Sequence, residues 1–138
     1  MAEIQASVEI SASVDKVWDI ISDLDNEPEF WKGTKEIKNI SKKGDVITRE
    51  VTIAFRDQKC MQEVKLQPKE KITITFTKGI IDGTKVITLS TKNEKIELKA
   101  RWDIKLTGVM GMFTGVIKKH IENGTIQALQ KIKEHAER

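Results

Sequence analysis

Residues 10–31, ISASVDKVWDIISDLDNEPEFW, gather two of the chain's three tryptophans and one of its four phenylalanines among six acids and one lysine. Ser13 is of the type that caps a helix, and Asp15 behind it suits the positive end of a helix. Val14, Val17, Trp18 and Ile21 then recur at helical spacing. Asp25 or Asn26 caps a second, short helix with Pro28 in its first turn, where a missing N–H costs little. The acids are therefore mostly helix grammar, standing near helix starts or on a solvated face.

On either side the period changes to two. Ahead of this stretch, Ile4, Ala6, Val8 and Ile10 alternate with Gln5, Ser7 and Glu9, which predicts a half-buried strand. Beyond it, TKEIKNISKK turns at Gly44-Asp45 into VITREVTIAF, and Arg56-Asp57 leads into QKCMQEVKLQP. Pro68-Lys69 leads into EKITITFTKG, Asp82-Gly83 reads as a turn before TKVITLST, and Asn93-Glu94 turns into KIELKARWDIKL. In that last segment Ile96, Leu98, Ala100, Trp102, Ile104 and Leu106 share a buried face, which leaves Lys99, Arg101 and Lys105 outside. The short connections predict a consecutive antiparallel meander. From about residue 109 to 137 the pattern is helical, with Phe113, Val116, Ile117, Ile121, Ala128, Leu129 and Ile132 along one stripe. Gly108, Gly111 and Gly115 loosen its start. Asn123-Gly124 either kinks or splits this helix, or marks where it presses on another element.

At 138 residues the chain reads as a single domain over residues 1–138, long enough for one continuous core. The lone Cys60 cannot form an internal disulfide, the start lacks the pattern of a signal peptide, and no apolar run spans a bilayer. The expectation is a cytoplasmic protein without stable membrane insertion. Net charge is +3, yet residues 1–31 hold eight of the 21 acids and one of the 24 bases, so 13 acids and 23 bases lie beyond. A basic body of that kind attracts anions, nucleic acid or a membrane surface. Its acids and bases are interleaved rather than clustered, which fits lysines on the outer faces of strands, and no nucleic-acid partner is expected.

The order is strand, two short helices, six strands, long helix. Together with Ile10, Ala12, Asp15, Val17-Trp18, Ser22-Asp23, and Pro28 followed by Phe30-Trp31, it resembles the START-like, Bet v 1-like helix-grip superfamily, with its polyketide cyclase/dehydrase and coenzyme-Q-binding groups. The topology match covers nearly the whole chain; the motif speaks to the fold and hardly at all to the ligand. The resemblance implies an α+β helix-grip fold, a curved antiparallel seven-stranded sheet wrapped around a long C-terminal helix. It implies a cavity between them, its mouth partly closed by the short helices.

On that reading Trp18, Phe30 and Trp31 face inward or rim the entrance; for Trp18, plain core packing is the alternative. Strand parity adds Arg49, Val51 and Ile53, then Gln62 and Val64, then Ile74 and Phe76, then Leu98, Ala100 and Trp102. The segment TKVITLS is ambiguous, because Val86 and Ile87 are both apolar. The helix supplies Met112, Phe113, Val116, Ile117 and His120. Arg49 is the most informative. Inside an apolar cavity its charge must meet a ligand anion, a buried acid or water; otherwise a bulge or strand end carries it to solvent.

His120 without a nearby acid to form a recognisable acid–base pair, His135 in a polar C-terminal turn, no metal-ligand spacing, no nucleophile elbow and no phosphate loop point away from catalysis by recognised motifs, and no metal or cofactor is expected. Three readings stay open. The first is a carrier or binder of a small apolar or amphipathic molecule, such as a lipid, isoprenoid or aromatic. The second is a cyclase on a similar molecule, with Arg49, Gln62 and His120 as the polar groups to test. The third is a co-chaperone-like interaction module with a filled cavity and an exposed apolar patch.

Overall fold

Ser13 caps the first helix, its Oγ accepting from the Lys16 backbone N–H at 3.1 Å. The computed structural model describes residues 2–138, the side chains of Val109 and Met110 lying outside the described set. Strand β1 (Ala2–Ile10) leads into helices α1 (Val14–Ile21) and α2 (Glu27–Phe30). Strands β2 (Thr34–Lys43), β3 (Val46–Ile53), β4 (Lys59–Gln67), β5 (Lys71–Lys78), β6 (Ile81–Lys92) and β7 (Lys95–Leu106) follow, and α3 (Thr114–Ala136) closes the chain. The seven strands form one antiparallel sheet in the order β1-β7-β6-β5-β4-β3-β2, so consecutive strands are neighbours and β1 completes the edge beside β7.

Most turns are where the sequence puts them, because turn chemistry is local. Asn93 and Glu94 both take positive φ between β6 and β7, as a tight hairpin requires. Asp82-Gly83 is the exception. The reversal from β5 to β6 lies at residues 79–80, and Gly83 sits inside β6, paired with Phe76 and Ile104. Its φ is +126°, and a Cβ there would stand 2.1 Å from the Asp103 carbonyl oxygen. Glycine is needed here for close approach of backbone rather than for a turn. Register shifts in β2–β3 and β4–β5 help bend the sheet.

The alternation in β7 is realised: Ile96, Leu98, Ala100, Trp102, Ile104 and Leu106 are buried, Arg101 and Lys105 are exposed, and Lys99 is half-buried. The C-terminal helix starts later than its sequence suggests. Gly108–Phe113 forms a 3-10 segment, and α3 begins at Thr114. It then runs unbroken through Asn123-Gly124, and a Cβ on Gly124 would meet nothing within 4 Å, so the helix is neither split nor pressed against a neighbour there. Ala128, Leu129, Ile132 and Ala136 bury its second half. Lys133 donates to the Glu9 carbonyl at 2.7 Å, Glu137 accepts from Ser11 N–H at 2.8 Å, and Lys131 donates to the Glu29 carbonyl at 2.7 Å. Anchored at this end, α3 stands off the sheet at the other.

Candidate functional site

The space under the first half of α3 is a cavity of about 500 Å³. Val51 and Ile53 of β3, Ile74 and Phe76 of β5, Ile81 of β6, Trp102 of β7, and Ile117 and Ile121 of α3 supply its apolar wall. Trp31 follows α2 and closes one side. Its ring meets Trp102 edge-on at 6.3 Å, and Trp102 stacks on Phe76 at 6.2 Å. Trp102 is oriented by its indole N–H, which donates to Thr125 Oγ1 at 3.1 Å, and that hydroxyl donates to the Ile121 carbonyl at 2.7 Å. Exposed Lys32, His120, Asn123 and Gln127 stand at the mouth.

The buried end is polar. Arg49 is fully buried and does not reach solvent. Its Nη2 donates to Glu27 Oε1 and its Nε to Gln62 Oε1, both at 2.9 Å, while Thr34 Oγ1 donates to Glu27 Oε2 at 3.1 Å. The buried acid that Arg49 requires is therefore Glu27, on α2. Lys85 completes the group. It is 3% exposed, and its Nζ lies 3.2 Å from the Trp31 ring centroid and 4.7 Å from that of Trp102. Burial pushes its ammonium down to about 8, against the pull of Glu27 and with the repulsion of Arg49. For Glu27 burial favours the neutral acid, but the charges of Lys85 and Arg49 and the hydrogen bonds from Arg49 and Thr34 outweigh it and hold the carboxyl below its usual range. Arg49 Nη1 has no protein acceptor among the described residues.

Of the side chains expected at the cavity, Trp31, Val51, Ile53, Gln62, Ile74, Phe76, Trp102, Ile117 and His120 line it. Arg49 sits behind Gln62 rather than on the surface of the cavity. Val64, Leu98 and Ala100 are core residues away from it, as is Trp18 of α1. Phe30 turns to the far end of α3 and meets His135 edge-on at 5.6 Å. Met112 and Val116 are exposed, at 85% and 54%: Met112 lies in the 3-10 segment ahead of α3, and Val116, about 100° around the helix from Ile117, points away from its buried face. Phe113 instead packs on Phe55 beside the mouth, at 6.3 Å. Sequence reasoning missed Glu27 and Lys85. Glu27 looks like an ordinary first-turn helix acid. Lys85 was legible in principle, since Ile81, Ile87 and Leu89 share its parity, but the adjacent Val86 hid the register.

Burial also pushes the Cys60 thiol up, away from thiolate chemistry. No group of three or more potential metal ligands occurs among the described residues. What remains is an aromatic-walled cavity with one ionic end. The model of a family described as polyketide cyclase / dehydrase and lipid transport matches residues 1–137. The chain belongs to that family. No curated relative matches it at the sequence level. Solved structures share the polyketide cyclase / dehydrase and lipid transport fold at low identity. A Thermus thermophilus protein is 13% identical with a TM-score of 0.82, over 98% of this chain and 97% of that one. The Streptomyces aromatase/cyclase Zhui is 14% identical with a TM-score of 0.79, over 99% and 94%. A START superfamily protein of Mycobacterium smegmatis is 16% identical with a TM-score of 0.75, over 96% and 97%. At such identities the likeness establishes the helix-grip fold alone.

Proposed function

We propose that this member of the family binds a small amphipathic molecule in the cavity between sheet and α3. The apolar body lies on Trp31, Phe76 and Trp102, and the polar end meets Glu27, Gln62 and Lys85, with Arg49 behind them. The observation that carries this reading is the cavity itself: about 500 Å³ of space lies within a core that is otherwise closely packed. Its size suits a lipid fragment, an isoprenoid or a fused aromatic. An interaction module of the same fold needs no such space. The cyclase reading keeps one observation in its favour, the convergence of ordered polar groups at the buried end, and its chemistry would use the same site.

Native mass spectrometry of protein purified from its own host tests the reading directly. A retained small molecule, together with a change in tryptophan fluorescence when it is stripped and restored, is the expected result. A second arm compares Ile74→Lys, which places an ammonium on the cavity wall, with Thr75→Lys on the opposite face of β5. Binding should be lost only in the first, with near-UV circular dichroism confirming that it is folded. Mass spectra free of any guest, with no fluorescence response to apolar probes, would overturn the carrier reading.

A further inference from the structure

At the buried end of the cavity the charges do not cancel. Arg49 and Lys85 are cations, and Glu27 is the one acid lining the cavity among the described residues. Both its oxygens are engaged, Oε1 by Arg49 and Oε2 by Thr34. The Lys85 ammonium makes no hydrogen bond and no ion pair among the described residues, and the residue's direct strand neighbours are Ile74 on β5 and Trp102 on β7. What it has instead is the face of Trp31. An aromatic face repays only part of the hydration that a buried ammonium gives up. Arg49 Nη1 is a second buried donor without a protein acceptor. A site with two cations, one committed anion and donors lacking acceptors is stabilised by one further negative charge.

We propose that the guest is an amphipathic monocarboxylate, its carboxylate on Lys85 Nζ and its apolar body along the aromatic wall. This rests on the ligand-binding reading above and names the head group. One excess positive charge matches one carboxylate. A phosphate monoester, carrying between one and two negative charges at neutral pH, overshoots it. A neutral alcohol leaves the ammonium unpaired, and an amine adds a third cation. The guest also strengthens the hold of Lys85 on its proton, because an anion at Nζ favours the charged form.

The head-group series decanoic acid, decanol and decylamine, titrated against tryptophan fluorescence at neutral pH, tests the assignment. The acid should bind at least about tenfold tighter than the alcohol, the range of a hydrogen bond to a charged partner, and the amine weakest. Lys85→Met should abolish that preference, whereas Lys105→Met, on the outer face of β7, should retain it. Thermal unfolding of each variant confirms that it is folded. Affinity for the acid should fall as pH rises above about 8, where Lys85 of the free protein loses its proton. The other charged or titratable groups lining the cavity or facing Lys85 are Glu27 and Arg49 at the buried end, and Lys32 and His120 at the mouth. Because Lys85→Met keeps all four, it isolates the contribution of the lysine. Equal affinities for acid and alcohol, or a preference that survives Lys85→Met, overturn the inference and leave the carrier reading standing. Binding of none of the three overturns both.

Discussion

Lys85 is a residue kept at a cost. Its folded pKa of about 8 lies below the ordinary 10.5, so the folded chain gives up this proton first. Between about 8 and 10.5 the unfolded chain binds more protons, and stability therefore rises with pH across that window. Below it the penalty is present in full, about 3 kcal/mol. Lys85→Met should accordingly stabilise the protein at neutral pH by up to that amount, in which the attraction of Glu27 is already included. Urea denaturation of both proteins from neutral pH through that window checks this. The gap should narrow as pH rises, and a gap independent of pH would show that the ammonium is not the cause. The sign for Glu27 is opposite: its lowered pKa contributes stability at neutral pH that is lost as pH falls through the folded value, below the ordinary 4.5.

Two glycines show how differently one residue type acts within an element. In β6, Gly83 combines a φ of +126° with the Asp103 carbonyl lying where a Cβ would go. Gly83→Ala should cost at least about 2 kcal/mol and loosen the pairing of β6 with β7. In α3, Gly124 is in the helix interior, lines the cavity and has open space around it. Gly124→Ala should stabilise the helix by up to about 1 kcal/mol. Denaturation midpoints moving in opposite directions is the expected outcome; a destabilised Gly124→Ala would mean that α3 lies closer to the sheet than described. The sequence marked Gly83 as a turn because Asp-Gly is the commonest local signal for one. Nothing local reports that a neighbouring strand will cross at van der Waals distance.

At the scale of the molecule, α3 is held unequally. Its second half is packed and tied to β1 and to the residues around α1 and α2, whereas its first end is met by a small clasp. Phe113 packs on Phe55, and the Arg56 guanidinium lies over both rings, at 5.1 and 5.6 Å. Phe55 lines the cavity, so the clasp stands at the entrance. Phe113→Ala should speed both association and dissociation of a guest in stopped-flow fluorescence, with little change in affinity. Backbone hydrogen exchange should be faster at residues 108–113 than at residues 126–132. Equal protection in the two segments, or unaltered rates in the variant, would show that the clasp does not control entry.

The amino-acid sequence by itself determined the order of elements, the inner face of β7, the capping at Ser13 and the hairpins other than β5–β6, because periodicity, capping and turn chemistry act over a few residues. Parity also marked Gln62, Phe76 and Trp102 for the cavity, since it carries inward-facing side chains along a regular strand, while Trp31 followed from the family resemblance. Tertiary structure alone decided the rest. The partner of Arg49 is Glu27, 22 residues away on another element. Lys85 turns inward because Ile74 and Trp102 fix the register of β6 from either side. The cavity exists because α3 is anchored at one end and stands away from the sheet at the other. A space between elements is made by how far apart they pack, and no local pattern of residues records that distance.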